Sequence, residues 1–422
     1  MSNTGRKKPP LVAERRYPKK TVAAPKKRAA SKRRPTKPKR GLIRRLMSAI
    51  FSWIFRIIWG IGWRLTLVCT LLLGLAVGYV SLILPPVEQL FDGRARGSVT
   101  LLDASGSVFA WRGDQFGGAV TATSVSPHLK NAIIATEDKR FYQHFGLSPR
   151  GIASAVRINL REGRGPLSGH GGSTLTQQTA KLICLGVDFD PTIWKDEAAY
   201  EADCRRGSLA RKAKEAIYSM AMELKYTKNE ILTVYINRAF LGAGARGFEA
   251  ASQRYFGKSA AMVAPNEAAM LAGLLVAPTR YAPTNNLERS QARAATVIRL
   301  MEEQGYLSAT EAKQASLSPA TLSEAAQAKA GGYFADWVMT TGPDFFTRNT
   351  TEDVIIRTTL DQRIQRAAEA AIKDVFDAKV SKTSGAQAAI LIMSADGAVR
   401  AMVGGRQTQV SGAFNRATMA KR

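Results

Sequence analysis

Residues 66–84 read TLVCTLLLGLAVGYVSLIL, a run of 19 residues without a charge. That is about the length a helix needs to cross the hydrocarbon of a bilayer. Its flanks are unequal. Upstream stand Arg56, Arg64 and a tail, residues 1–45, in which Glu14 is the only acid. Downstream come Pro85 and Pro86, then Glu88 and Asp92. The positive-inside rule puts residues 1–64 in the cytoplasm and everything after Pro86 across the membrane. A cleaved signal peptide is the competing reading. The basic region is too long for one, and no small-residue cleavage site follows the apolar run.

The chain has 422 residues and a formal net charge of +28, so more than one core is expected. Much of the charge sits in the tail, which is too poor in apolar side chains to fold and is expected to be disordered. A basic tail suits nucleic acid or anionic lipid. Here the adjacent span favours anionic lipid, and no nucleic-acid partner is expected. Between tail and span, residues 46–64 mix Trp53, Phe55, Ile57, Ile58 and Trp59 with Arg56, the pattern of an interfacial helix. The span itself is set at 65–85. Cys69 lies within it as a small apolar residue. Cys184 and Cys204 fall in the exported part, where disulfides persist. His is nearly absent and no zinc-type Cys/His spacing occurs, so no metal ligands are assigned.

After the span, residues 99–111 (VTLLDASGSVFAW) read as a hairpin around an Asp-Ala-Ser-Gly turn. Residues 126–305 are mostly helical in period. Helices are expected at 209–224, 228–237, 265–275 and 287–303. Residues 308–329, rich in Ala, Ser, Gln and Glu, fit a surface helix or a linker. Then 354–359 reads as a strand, 360–376 as a helix, and 388–392 with 399–403 as two strands joined by an Ala-Asp-Gly turn. No internal repeat is visible.

Four stretches could carry chemistry. In ATEDKRFYQHFG, residues 135–146, Glu137 and Asp138 precede Phe141 and His144. Partial burial beside an aromatic would raise a carboxylate's pKa toward the working pH of a general acid or base. A surface acid pair fits the same residues. HGGSTLTQQ, residues 170–178, gathers small donors and acceptors at a helix start, suited to a phosphate or a polyhydroxylated ligand. It is equally a polar loop with an N-cap at Ser173. In RKAKE, Lys212 and Glu215 share a helix face, and a weak surface ion pair is the plainer explanation. Residues 228–237 continue into a segment where Gly242, Gly244 and Gly247 allow close backbone approach.

Taken in order, EDxxFxxHxG, GGSTxTQQ, RKxxE, ILxxYxN and RGxxxA with YFxK resemble the successive motifs of the family 51 peptidoglycan glycosyltransferases. These are the polymerase domains of class A penicillin-binding proteins and of monofunctional transglycosylases. The resemblance covers about 99–303 and includes PNEAAMLAGLLVAPTRYAP at 265–283. It implies a mainly α-helical, lysozyme-like glycosyltransferase domain over 86–305, behind a single transmembrane helix. By the same resemblance Glu137 is the general base on the 4-hydroxyl of the acceptor lipid II, and Glu215 is a second carboxylate near the donor. Arg211 and Lys212 stabilise the leaving pyrophosphate. Ser173, Thr174, Gln177 and Gln178 position substrate, with Asn237 and Arg246 beside them. Asp138, Phe141 and His144 belong to the same set, the last two shaping the helix beneath Glu137 rather than moving a proton. No tightly bound cofactor is implied; a divalent cation, Mg or Mn, is compatible with the pyrophosphate.

TTLDQRIQRAAEAAI and ADGAVRAMVGGRQTQVSGAFNRATMAKR resemble the linker and the opening of a class A transpeptidase domain. A short α/β linker is therefore expected over 306–385, and the first strands of a truncated transpeptidase domain over 386–422. The chain contains no Ser-x-x-Lys, so as written it is not expected to cross-link peptides or be acylated by penicillin. Expected partners are lipid II, the growing glycan strand and the bacterial inner membrane; a cell-wall synthesis complex stays open. A lysozyme-like lytic enzyme and an inactive membrane scaffold are the alternatives. Residues 187–206 look like an acidic insertion relative to the family, with Asp188, Asp190, Asp196, Glu197, Glu201 and Asp203. Cys184 and Cys204 bracket it, and a disulfide between them is expected.

Overall fold

The computed structural model describes residues 42–91, 97–113, 115–166, 169, 171–195, 197–323, 326, 332–343, 352–381, 383–407 and 413–421, the side chains of 42–46 and 197–198 excepted. Residues 1–41 of the basic tail, His170 and Asp196 lie outside them. The chain divides into two units, 1–67 and 68–422.

The first long element, α1 (Leu42–Ile83), is one uninterrupted helix of 42 residues. It runs through both the stretch expected at the headgroup level and the apolar span. Its segment Met47–Ile83 is long and apolar enough to cross a membrane. Most of its large apolar side chains are exposed, as a helix facing lipid requires. Near the C-terminal end Val77, Val80 and Leu84 turn inward and join the main core with Val87 and Leu90. Tyr226 and Lys225 donate to the carbonyls of Pro85 and Leu84, and Arg238 donates to Leu90 O at 2.7 Å. These bonds tie the chain leaving the span to the helical domain.

A hairpin follows, β1 (Val99–Leu102) antiparallel to β2 (Val108–Arg112), as the sequence predicts. The helical domain comes next: α2 (Pro127–Glu137), α3 (Pro149–Arg161), α4 (Leu175–Leu182), α5 (Glu197–Cys204), α6 (Leu209–Lys225), α7 (Lys228–Arg238), α8 (Phe248–Phe256), α9 (Pro265–Leu274), α10 (Pro278–Tyr281), α11 (Leu287–Glu303) and α12 (Ala309–Leu317). The four helices expected from periodicity begin where expected and end within one residue of it. At the centre lies α9, whose residues from Ala268 to Leu274 are all buried. A helix apolar on every side has to be enclosed in this way. It packs on α2 and α11, while α4 packs on α6 and α7.

The hairpin does not share that core. Val99, Leu101, Phe109 and Ala110 pack instead with Tyr333, Phe334, Leu360, Ile372 and Val403. Strand β3 (Val354–Arg357) runs parallel to β1, giving the sheet order β2-β1-β3. Helices α13 (Gly332–Thr341) and α14 (Gln362–Lys379) cover this core with the pair β4 (Ile390–Met393) and β5 (Val399–Val403). The segment expected to open the glycosyltransferase domain is thus built into the elements beyond it.

Candidate active site

Three helix termini converge at the site: the C-terminus of α2, the N-terminus of α4 and the N-terminal half of α6. Glu137 is the last residue of α2. Gln178 Nε2 donates to Glu137 Oε2 at 2.9 Å, and the Tyr235 hydroxyl from α7 donates to Gln178 Oε1 at 3.3 Å. Burial pushes the Glu137 carboxyl above its usual range, and the neighbouring Asp138 adds to the rise. The bond from Gln178 and the charge of Arg293 only partly offset it. Tyr235 is buried next to this carboxylate, which drives its own pKa well up and keeps the hydroxyl a donor.

Asp138 does different work from its neighbour. Its Oδ2 meets His144 Nε2 at 2.8 Å and accepts from Leu175 N at 3.0 Å, and both side chains are 7% exposed. This pair joins the end of α2 to the first turn of α4. Phe141 is fully buried beneath them, with the Lys228 ammonium 4.6 Å from its ring centre. Asp138, Phe141 and His144 build a platform under Glu137, and Asp138 also lines the cavity beside it. Gly146 closes the segment at φ 71°, where a Cβ would sit 2.8 Å from Ser219 O. Only glycine allows this loop to lie on α6.

Thr174 and Gln177 hold the start of α4, and Thr174 also lines the cavity beside Glu137. Thr174 is the N-cap of α4, one residue beyond the cap expected at Ser173. Its hydroxyl accepts from Gln177 N at 3.1 Å and donates to Gly146 O at 2.5 Å, while Gln177 Oε1 accepts from Thr174 N. This capping box satisfies two helix donors and leaves both side chains buried. Asn237 is buried too. Its amide bonds both backbone groups of Val120 and the carbonyl of Thr233, pinning the loop before α2.

Ser173, Arg211 and Lys212 are linked through Glu215 and the Lys212 ammonium. Lys212 Nζ lies 2.7 Å from Ser173 Oγ and 2.6 Å from Glu215 Oε1, and Arg211 lies 3.5 Å from Glu215 Oε2. Glu215, expected as a second catalytic carboxylate, has a side chain only 3% exposed. Its two oxygens anchor two cations. Lys181 was missed by the sequence reading. It follows Gln178 by three residues on α4, a spacing that puts both on one face. Burial and the adjacent Arg211 hold its ammonium below the usual lysine range.

Two cavities flank this arrangement. One of about 210 Å³ is lined by Glu137, Arg140, Ser148, Ser154, Gly172 and Ser173. Gly172 is needed there because a Cβ would come within 2.7 Å of Ile152 Cα on α3. The other, about 400 Å³, is lined by Gln178, Lys181, Tyr235 and Arg246, and by residues of α5. Gln178, bonded to Glu137, stands between them. The expected disulfide is present: Cys184 and Cys204 are joined with a Cα–Cα distance of 5.3 Å. Among the described residues no three His, Cys, Asp or Glu side chains converge as metal ligands.

Residues 106–302 match the transglycosylase family. The chain is 34% identical over 274 residues to penicillin-binding protein 1A of Aquifex aeolicus, covering 64% of this chain and 35% of that protein. It is 31% identical over 321 residues to penicillin-binding protein 1A of Escherichia coli, covering 73% and 35%. Penicillin-binding protein 1B of Vibrio cholerae is 34% identical over 304 residues, covering 70% and 36%. The chain thus spans little more than a third of the length of these relatives. A crystal structure of penicillin-binding protein 1A from Haemophilus influenzae aligns over 77% of this chain and 50% of its own, at 18% identity and a TM-score of 0.36, a likeness too weak to bear on the fold. Residues 106–302 thus match the transglycosylase family, the family 51 glycosyltransferases, in a chain whose relatives include class A penicillin-binding proteins.

Proposed function

We propose that this chain polymerises lipid II into glycan strands, with Glu137 as the general base. The observation that carries the reading is a carboxylate of raised pKa at the mouth of one cavity, joined through Gln178 to a second cavity lined with cations. Glu137 takes the proton of the acceptor sugar's 4-hydroxyl. The oxygen attacks the donor's anomeric carbon with inversion, and the bond to the donor's pyrophosphate breaks. The pyrophosphate leaves with the electron pair. Lys181 and Arg246, which line the second cavity, and the pair Arg211 and Lys212 on α6 would supply the preorganised donors for that developing charge. Ser173, bonded to Lys212, orients this edge of the site.

In this reading α1 anchors the chain in the inner membrane, with the basic tail on the cytoplasmic side against anionic headgroups. The catalytic domain faces the periplasm, where a lipid-held substrate is within reach. The Cys184–Cys204 bond supports an oxidising compartment for this domain. Incubating the purified chain with lipid II tests the activity. Glycan polymer is the expected product; cleavage of preformed glycan without polymerisation would replace this reading with a lytic one.

A further inference from the structure

We propose that Glu201 is an internal stand-in for substrate phosphate: carried on the disulfide-closed insertion, it holds Arg246 until a lipid-linked pyrophosphate displaces it. The inference rests on the reading above, that the larger cavity receives the pyrophosphate.

The insertion is a built element. Its helix α5 ends at Cys204, which is bonded to Cys184 just beyond α4. The Tyr200 ring packs edge-on against Trp194 and Phe189 at 5.1 and 5.8 Å, and its hydroxyl donates to Val187 O. These contacts bring Tyr200, Glu201 and Arg205 to the wall of the larger cavity. Lys181, Arg205, Arg238 and Arg246 line that cavity as cations, and among the described lining residues Glu201 is the only acid.

Glu201 answers two of these cations at once. Its Oε1 pairs with Arg246, and its Oε2 lies 3.0 Å from the Arg205 guanidinium. One carboxylate bridging two guanidiniums is the geometry a phosphate group would adopt on the same pair. The Glu201 side chain is 25% exposed, so it can swing to solvent without disturbing the core. An incoming anion has to outbid it. A group with several charged oxygens on adjacent phosphates bridges Arg205, Arg246 and Lys181 together, whereas a single phosphate gains little over the carboxylate already there. Glu201 therefore favours pyrophosphate-bearing lipid over other anionic lipid.

The test uses the full chain in detergent micelles. Inorganic pyrophosphate and inorganic phosphate are titrated calorimetrically, and KM for lipid II is measured in parallel. Glu201→Gln is expected to bind pyrophosphate about three- to tenfold more tightly than the parent, the range set by loss of partly exposed ion pairing. KM for lipid II falls in step, and the preference for pyrophosphate over phosphate narrows. Glu201→Ala, checked for an unchanged unfolding transition, moves in the same direction. In an Arg205→Ala, Arg246→Ala background the substitution brings no gain. Equal or weaker pyrophosphate binding by both Glu201 variants overturns the proposal, as does a gain that survives the Arg205→Ala, Arg246→Ala background. A parent chain that neither polymerises lipid II nor binds pyrophosphate overturns the underlying reading instead, and that result is visible before any variant is compared.

Discussion

Gln178 holds Glu137 from the side, its amide nitrogen 2.9 Å from the carboxylate oxygen. That bond favours the ionised form, while burial favours the neutral one and is the larger effect. A general base must be ionised, so activity falls as pH drops through the raised pKa of Glu137. Gln178→Leu removes the opposing bond and is expected to move the acidic limb of the kcat/KM profile to higher pH. The measurement is polymerisation rate against pH for both proteins; coincident limbs would show that Gln178 does not tune the base.

Glu137→Gln separates function from stability. The amide keeps the shape and cannot take a proton, so polymerisation is expected to drop about a hundredfold or more. Stability should move the other way. A carboxyl whose folded-state pKa is raised contributes stability at low pH that is lost as pH rises through that pKa. The neutral amide has no such loss. The Tm of the variant relative to the parent is therefore expected to increase between acidic and mildly alkaline pH. A Tm difference that shrinks over that interval would contradict the burial of this carboxylate.

Asp138 is one residue away and behaves differently. Its carboxylate bonds His144 and the backbone of Leu175 in a pocket where both side chains are 7% exposed. Asp138→Ala leaves buried donors unanswered and is expected to cost about 3 kcal/mol in denaturant unfolding. Polymerisation falls with it, because α2 and α4 lose their brace. A variant with parental stability and no activity would instead place Asp138 in contact with substrate.

These residues mark where the sequence is informative. Helices α6, α7, α9 and α11 were legible because their apolar faces and end signals agree. Glu137, Ser173, Arg211 and Lys212 stand out in the sequence as motif positions beside short local patterns. The structural duty of Thr174 and Gln177 was written in the sequence as a Thr-x-x-Gln capping box; a ligand-binding reading of the same polar cluster obscured it. Asn237 was not legible, since its partner Val120 is 117 residues away. The parallel pairing of β1 with β3 spans more than 250 residues, and no local periodicity encodes it. Glu215 carried the right charge at the right spacing, but only its packing reveals that both oxygens are already committed.

The disulfide gives the last prediction. Cys184 and Cys204 close a loop of 20 residues, and Cys184 and Leu185 both sit at positive φ, 50° and 54°, where the chain turns out of α4. Replacing both cysteines by Ala frees that turn. In the chain-entropy account the loss is about 3 kcal/mol for a loop of this length. The damage should be local, because the main core on α2, α9 and α11 contains none of the described residues of the insertion. Limited proteolysis is then expected to cut between 187 and 203 in the double variant while the parent resists. With α5 no longer tethered, Glu201 loses its hold on Arg246, so pyrophosphate binding should shift as it does in Glu201→Gln. Adding Glu201→Gln to the double variant should bring little further change. If instead the two changes add in full, the disulfide stabilises the domain without positioning Glu201, and the insertion is a brace rather than a latch.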